Sequence, residues 1–406
     1  MNPAENTSVS PLPRPNMPRP SMPRTVWILG IVSLLTDVSS ELAHALLPLL
    51  LVGSLGASIL MLGLIEGLAE ATASMAKLFA GRLSDLLGRR KPLIVLGYGL
   101  SALTKPLFPL AGSVGLVLGA RLLDRLGKGI RGAPRDALLA DVTPPLLRGE
   151  AFGLRQSLDT VGAVLGPIAA IGLMLWLGVV RSALWFAVIP AVLGVLVLIL
   201  YVHEPEQHLA ERKPALTLAA WRTLPTAFWQ VIAVVAMLGL ARFGEGFLIV
   251  LGSQRGLGSA LAPLALAVMS TVYALAAWPA GWLADRLDRG KLLQVAMLAL
   301  IAADAVIAFT GGRAWFLLGV ALWGLHLAFS QGLLSAMIAD AAPATLRGTA
   351  FGVFHFVSGS AALLASLIAG GLWQWVGASA CFIGGGLFAV AAWLWLLLRW
   401  QRPVPH

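Results

Sequence analysis

The sequence predicts an all-helical integral membrane protein in which twelve transmembrane helices form two six-helix, pseudo-symmetric halves. Three observations predict this fold class. Of the 406 residues, 58% are hydrophobic and only 12% are charged, about half the charged share of a soluble domain. Twelve stretches approach the roughly 20 apolar residues that cross a bilayer, and two signatures from the first half recur in the second. These features exclude a soluble enzyme and a disordered chain.

The twelve predicted spans follow one another with short connections. They are 25–52, 57–80, 92–111, 114–140, 150–177, 181–202, 226–252, 259–282, 291–311, 314–340, 348–376 and 378–400. The polar stretch 203–224 divides them into an N-terminal half, 25–202, and a C-terminal half, 225–400, and we expect it to be a cytoplasmic linker. Residues 1–24, rich in proline, are predicted to be a disordered cytoplasmic tail, and 401–406 a second cytoplasmic tail.

Positive charge is distributed unequally between the predicted loops. With the N-terminus in the cytoplasm, the inner tails and loops carry 17 Lys and Arg, and the outer loops carry three. This bias predicts that both termini are cytoplasmic, and we expect a multi-pass protein of the inner (plasma) membrane. The net charge of +10 then lies outside the spans, so it reflects topology and does not predict a nucleic-acid partner.

Two signatures recur at nearly constant offsets. GRLSDLLGRRK (81–91) returns as GWLADRLDRGK (281–291), and ADVTPPLLRGEAFG (140–153) returns as ADAAPATLRGTAFG (339–352). The offsets are 200 and 199 positions. Such a parallel repeat is typical of secondary transporters, which hold the substrate between their halves near mid-membrane.

These residues resemble the major facilitator superfamily over essentially the whole chain after the tail. The resemblance implies that the repeated loop closes the cytoplasmic side, its arginines pairing with an acid at the inner end of a span. The residues implied in this gate are Gly81, Asp85, Gly88, Arg89, Arg90, Lys91 and Asp141, and in the repeat Gly281, Asp285, Arg289, Lys291 and Asp340. The repeat has Asp288 at the position of the second glycine.

The fifth span resembles the start of the motif that antiporters of this superfamily carry. The matching residues are Gly153, Gly162, Gly166 and Pro167, whereas the two final glycines of the motif are Ala170 and Ile171 here. The resemblance implies antiport, and general small-residue helix packing is the alternative. The segments 36–41, 64–74 and 124–141 resemble a subgroup of bacterial exporters, which fixes no substrate.

Eighteen ionisable side chains fall inside the predicted spans, nine acidic and nine basic, and fifteen of them are in the N-terminal half. Because such groups are costly in a bilayer, they usually line a cavity, pair with one another or carry protons. Our candidates for a proton-coupling or substrate cavity are Asp37, Glu41, His44, Glu66, Glu70, Arg125, Lys128, Asp159 and Asp304. A static salt-bridge network is the alternative. Arg242 and Glu245, three positions apart, are predicted to pair.

The sequence therefore predicts a monomeric proton-coupled antiporter that exports a small molecule by alternating access. We expect no cofactor, the proton motive force as energy source, and no ATP, since no phosphate-binding glycine loop is present. If metal is the substrate, we expect Asp37, Glu41 and His44 to bind the divalent ion; no other metal ligand is predicted. The basic residues of the fourth span would bind an organic anion or siderophore. A membrane-embedded enzyme would need a nucleophile or acid–base motif that we do not find.

Overall fold

The computed structural model describes residues 21–87, 89–204, 224–284, 286–343 and 346–399, and it contains helices but no β-strand in these ranges. Most of the predicted tails and of the predicted linker lies outside the described residues. Gly88 and Asp285 of the predicted gate, and the side-chain environments of Gly81 and Asp85, also lie outside them. The domain boundaries therefore stay a prediction.

Six spans form the N-terminal half. Span 1 is Arg24–Pro48 with a π-helical turn Leu49–Ser54; span 2 is Ile59–Leu87; span 3 is Lys91–Thr104 with Leu107–Leu110; span 4 is Val114–Val142; span 5 is Arg148–Leu177; span 6 is Val180–Trp185 with Val188–Tyr201. The interruption in span 3 lies beside Pro106. The interruption in span 6 lies at Phe186, shortly before Pro190. Neither of these short defects divides its span.

Six further spans form the C-terminal half. Span 7 is Thr226–Ala241 with Gly246–Gly252 and a π-helical turn Ser253–Leu257; a short helix Gly258–Leu261 leads into span 8, Leu264–Ala284; span 9 is Arg289–Phe309; span 10 is Arg313–Ala341; span 11 is Arg347–Trp375; span 12 is Ala378–Arg399. The predicted fold class is confirmed.

Span 4 differs from the others in composition. Within the described residues, the other eleven spans are long and apolar enough to cross a membrane. Span 4 has 29 residues, but its charges keep it outside that group. It begins where the Ser113 hydroxyl accepts a hydrogen bond from the backbone N–H of Leu116, 3.3 Å away, as expected of a helix cap. Arg121, Asp124 and Arg125 on this helix are buried, so its polar face points into the bundle.

Small residues bring neighbouring spans into backbone contact. A methyl group at Gly166 of span 5 would lie 2.7 Å from Cβ of Glu41 in span 1. Across the two halves, a methyl group at Gly63 of span 2 would lie 2.3 Å from the carbonyl oxygen of Ser366 in span 11. Close contact of this kind replaces the hydrophobic driving force that is missing between helices in lipid.

The two faces of the bundle differ. Because consecutive spans alternate in direction, span 1 begins and span 12 ends on one face, which we call the terminal face. On the opposite face, the buried segment Gly246–Gly252 of span 7 packs against span 1, and a methyl at Gly246 would lie 3.2 Å from Cγ of Pro48. The two halves are therefore packed against each other on the opposite face.

Candidate functional site

Two adjoining cavities of about 450 and 630 Å³ lie between the halves. Both are lined by Glu41, Lys77 and Lys128 from the N-terminal half and by Glu245, Leu327 and Gln331 from the C-terminal half. The larger cavity also extends to Arg135 and Asp136, near the terminal end of span 4. Because the halves pack together on the opposite face and the larger cavity extends the other way, we place the opening of the site on the terminal face.

The smaller cavity contains a chain of ion pairs that joins three spans. His44 Nδ1 lies 3.6 Å from Glu41 Oε2, and His44 Nε2 lies 3.3 Å from Glu66 Oε2. Arg121 Nη2 lies 3.5 Å from the other oxygen of Glu66. Histidine is positively charged in these pairs only when it is protonated. The charge on His44 therefore decides how many cations face Glu41 and Glu66.

Behind this chain, Lys105 forms a buried ion pair that we did not single out from the sequence. Its Nζ donates to Asp124 Oδ1 at 2.8 Å and to the Ser40 hydroxyl at 3.2 Å. Asp124 Oδ2 also lies 4.0 Å from Arg121 Nη1. The signal available in the sequence was a lone lysine within an apolar span, directly before Pro106. Lys105 connects spans 1, 3 and 4.

A second network lies in the larger cavity. Arg155 Nη1 donates to Asp159 Oδ2 at 2.6 Å, and Arg155 Nε lies 3.7 Å from Asp136 Oδ1. Arg135 lies between the same two acids, 3.2 Å from Asp136 and 3.9 Å from Asp159. Two arginines and two aspartates thus neutralise one another, as the static-network alternative expects for Asp159.

Other predicted cavity residues line the site without an ion pair. Among the described residues, these are Asp37, Glu70, Arg125 and Lys128; Asp37 lines the larger cavity, Glu70 and Arg125 the smaller one, and Lys128 both. Arg125 Nε is buried and has no hydrogen-bond partner. The predicted set is therefore divided into residues that are already paired and residues that are available to a substrate or a proton.

Asp304 lies behind the cavity wall and is not among the lining residues of either cavity. Its side chain is buried, and Oδ1 accepts a hydrogen bond of 2.9 Å from the indole Nε1 of Trp323. Trp323 itself lines the smaller cavity. Asp304 therefore fixes the orientation of an aromatic ring at the site.

Span 7 is broken where the sequence predicted a continuous helix over 226–252. The chain is not helical at 242–245, and Arg242 and Glu245 form no ion pair within the described residues, so their predicted pairing is wrong. Both instead line the smaller cavity. The two glycines of the run RFGEG (242–246) were the signal, since glycine favours non-helical backbone. Interrupted helices at mid-membrane are typical of transporter binding sites.

The glycines of span 5 pack against the acidic face of span 1. A methyl group at Gly162 would lie 2.9 Å from Cβ of Asp37, and one at Gly166 would lie 2.7 Å from Cβ of Glu41. Pro167 is buried beside them. Gly153, by contrast, has no atom within 4 Å of such a methyl group. Two of the four motif residues, Gly162 and Gly166, therefore bring span 5 against the candidate carboxylates.

Each half contains one ion pair of the predicted gate, and neither pair joins the two halves, so the terminal face can be open while both are formed. Arg90 Nε lies 2.8 Å from Asp141 Oδ2, and Arg289 donates a hydrogen bond to Asp340. Asp340 is the repeat of Asp141, 199 positions later, whereas Arg289 aligns with Arg89, so the two pairs use neighbouring arginines of the repeated loop. Arg89 is exposed, and Lys91 Nζ donates to the carbonyl oxygen of Ile199 at 3.0 Å. A methyl group at Gly281 would meet no atom within 4 Å. The backbone N–H of Lys291 donates a hydrogen bond of 3.0 Å to the Asp288 carboxylate.

Glu204 caps the start of span 3, a contact we did not predict. Its carboxylate accepts hydrogen bonds from the backbone N–H groups of Arg90 and Lys91, the latter at 3.1 Å.

We expect Glu204→Gln to lower the free energy of unfolding by about 1 kcal/mol, because the helix start loses a negative cap. Thermal unfolding in detergent measures it. Glu150→Gln is the control, because Glu150 is an exposed acid in the first turn of span 5 that makes no capping hydrogen bond within the described part of the chain. It loses only the interaction with the helix dipole, so an equal loss in both variants would contradict the cap.

The structure brings no metal site together at the predicted position. Among the described residues, no three His, Cys, Asp or Glu side chains are arranged to hold a metal ion. Glu41 and His44 are instead engaged with each other and with Glu66. The arrangement therefore gives no support to a divalent ion at Asp37, Glu41 and His44.

Comparison with known proteins decides the family. The sequence profile of the Major Facilitator Superfamily matches residues 29–366 and 264–406. The chain belongs to the major facilitator superfamily. This membership makes the protein a multi-span membrane transporter, as the resemblance implied.

Relatives in the major facilitator superfamily match over most of their length. An uncharacterized MFS-type transporter of Methanocaldococcus jannaschii is 31% identical over 384 residues, which cover 92% of this chain and 94% of the relative. The inner membrane transport protein YajR of Escherichia coli is 26% identical over 392 residues, covering 91% and 81% of the two chains.

Solved structures support the same fold. A POT family transporter in complex with 5-aminolevulinic acid superposes with a TM-score of 0.80 at 13% identity, covering 93% of this chain and 96% of that one. At this identity the similarity establishes the major facilitator architecture and carries no information on substrate.

Proposed function

We propose that the protein is a proton-coupled antiporter that exports a small molecule by alternating access. One observation carries the proposal: carboxylates from spans 1 and 2 line two adjoining cavities between the halves. Glycines of span 5 pack directly against two of them, Asp37 and Glu41. Groups of this kind inside a membrane usually serve proton or substrate transfer.

The proton would act through the paired carboxylates. Glu41 and Glu66 share His44, and Glu66 also faces Arg121. A proton arriving on either glutamate removes one negative charge and weakens its attraction to the neighbouring cations. The cations so released rearrange. The cavity then favours a different orientation of the two halves relative to each other. Proton uptake and release thereby select which face is open.

Charge and packing support a location and a direction of transport. The Lys and Arg bias favours a cytoplasmic terminal face in the plasma membrane, and the Escherichia coli relative is named an inner membrane protein. The cavity opens to that face, so it is placed to receive a substrate from the cytoplasm. The partial antiporter motif in span 5 supports outward export against inward protons.

The proposal is tested in liposomes that contain a pH-sensitive dye. A pH gradient is imposed and 2-naphthoate, ethidium or phenylalanine is added as an anionic, cationic or zwitterionic probe. We expect at least one probe to drive proton flux through the protein and Glu66→Gln to reduce that flux at least about 10-fold, since one charged partner is worth about 1.5–3 kcal/mol. Asp37→Asn and Glu41→Gln are measured in the same way.

Glu150→Gln is the matched control, because this acid is exposed in the first turn of span 5 and does not line either cavity. It should retain full flux. Transport that is independent of the pH gradient, or that is unchanged in all three carboxylate variants, would reject proton coupling through these residues.

A further inference from the structure

The smaller cavity has more unpaired cations than unpaired acids. Of its basic residues, Lys77, Arg125, Lys128 and Arg242 form no ion pair and no side-chain hydrogen bond within the described part of the chain. Its acids Glu41 and Glu66 are engaged by His44 and Arg121. The acids that remain without an ion pair are Glu70 and Glu245. Among the described residues, four cations without an ion pair therefore face two carboxylates without one.

Arg125 is the most deeply buried of these four cations. Only 9% of its surface is exposed, and its Nε has no hydrogen-bond partner. A buried donor without a partner costs free energy, and a guanidinium presents several donors in a planar fork that matches carboxylate and phosphate oxygens. Lys128 lies three positions further along the same helix and lines the same cavity. The pair presents donors that an oxyanion would satisfy.

An apolar wall faces these cations from the other half. Val235, Phe243, Trp323 and Leu327 line the cavity. The Phe243 and Trp323 rings lie 5.5 Å apart, and the Asp304 hydrogen bond fixes the indole. The volume of about 450 Å³ lies in the range of small-molecule sites, roughly 300–1,000 Å³. A charged wall and an aromatic wall together select an amphipathic ligand.

We infer that the substrate is an organic anion, with a carboxylate or phosphate group bound by Arg125 and Lys128 and an apolar or aromatic body packed against Phe243 and Trp323. The inference rests on the proposed function in treating this cavity as the substrate site. It does not depend on proton coupling. Lys77 and Arg242, without ion pairs of their own, complete the positive surroundings of the bound oxyanion.

Four naphthalene probes of nearly the same shape test the inference by calorimetric titration of the full chain in lipid nanodiscs, with empty nanodiscs as the blank. 2-Naphthoate and 2-naphthyl phosphate carry the anion, 2-naphthamide is neutral and 2-naphthylmethylammonium is a cation. We expect at least one anion to bind saturably and at least about 10-fold more tightly than the amide or the ammonium, as a charge-assisted hydrogen bond provides. The two anions distinguish a carboxylate substrate from a phosphate.

Arg125→Gln should weaken binding of the preferred anion at least about 10-fold. Lys128→Gln provides a second variant in case the first is poorly folded, and melting temperatures monitor both. Arg286→Gln removes one positive charge from an exposed side chain on the terminal face, stacked on Trp282 at 3.8 Å, and should leave binding unchanged. The inference is overturned if the ammonium binds more strongly than the anions, if no anion binds, or if Arg125→Gln and Lys128→Gln both bind the anion as tightly as the parent protein.

This titration also separates the two proposals. Anion binding without proton flux in liposomes would reject the antiport mechanism and retain the substrate class. Proton flux driven by ethidium or phenylalanine alone, with no anion binding, would retain antiport and reject the substrate class.

Discussion

Lys105→Met is expected to lower the free energy of unfolding by about 3–5 kcal/mol, because it leaves a buried carboxylate without its main partner. Lys105 is 1% exposed and lies 2.8 Å from Asp124. After the substitution, the nearest remaining cation is Arg121, at 4.0 Å from Asp124. Methionine has a similar length and flexibility, so the loss measures charge and not packing. Denaturant or thermal unfolding of the purified protein provides the value.

Removal of both partners is the control for this substitution. The double variant Lys105→Met, Asp124→Leu contains no uncompensated charge at this position, and it should recover most of the lost stability. A double variant as unstable as Lys105→Met alone would mean that the lysine stabilises the bundle by packing and by its hydrogen bond to Ser40, 3.2 Å away, more than by its charge.

Gly166→Ala is expected to lower the free energy of unfolding by about 1–3 kcal/mol, the usual cost of overpacking, and to impair transport strongly. The added methyl would lie 2.7 Å from Cβ of Glu41, 2.8 Å from the backbone nitrogen of Leu42 and 3.0 Å from the carbonyl oxygen of Val38. Since two of these atoms belong to the backbone, span 1 must move and carry Glu41 away from its position beside His44. Unfolding and liposome flux measure the two effects.

Gly153→Ala is the matched substitution in the same helix and the same motif. No atom lies within 4 Å of the methyl that it would add. Alanine is a better helix former than glycine by up to about 1 kcal/mol, so this variant should be as stable as the parent or more so, with transport retained. If the two alanine variants behave alike, close contact between spans 1 and 5 is not what the motif provides.

The sequence predicted the helices well because membrane spans follow from a physical requirement on a long segment. A bilayer leaves no water for backbone groups, so each apolar stretch of sufficient length must form a helix. Span 4 was found in the same way despite its charges, since its polar residues fall on one helical face. Predicted and observed ends agree within a few residues at Val114–Val142 and Arg148–Leu177.

The site was predicted only in part, because pairing depends on neighbours that are distant in the sequence. Glu66 and Glu70 are alike in type and lie one helical turn apart, yet only Glu66 contacts His44 and Arg121. Asp304 falls at mid-depth by its position in span 9, but rotation of that helix directs it to Trp323 and away from the cavity. Helix rotation and tilt are set by packing across the bundle, which residue spacing does not determine.

The break in span 7 was missed for a related reason. Arg242 and Glu245 have the spacing of a helical ion pair, and the flanking residues are apolar enough to span a bilayer. The local pattern therefore favoured a continuous helix. Contact with the other half requires the glycine at the break, since a methyl group at Gly244 would lie 2.7 Å from Cβ of Glu66, and glycine in turn favours non-helical backbone.

The contact between spans 2 and 11 limits how the two halves can move. Methyl groups at Gly370, Gly67 and Gly359 would each lie 2.8–3.0 Å from atoms of the facing helix, at Leu60, Leu363 and Ser74 respectively. These positions are spaced along much of both helices. A sideways translation would break all of them together, whereas a rotation about this line of contact would preserve most of them. We therefore expect the line to act as a hinge axis, with opening and closing largest on the side of the bundle farthest from it.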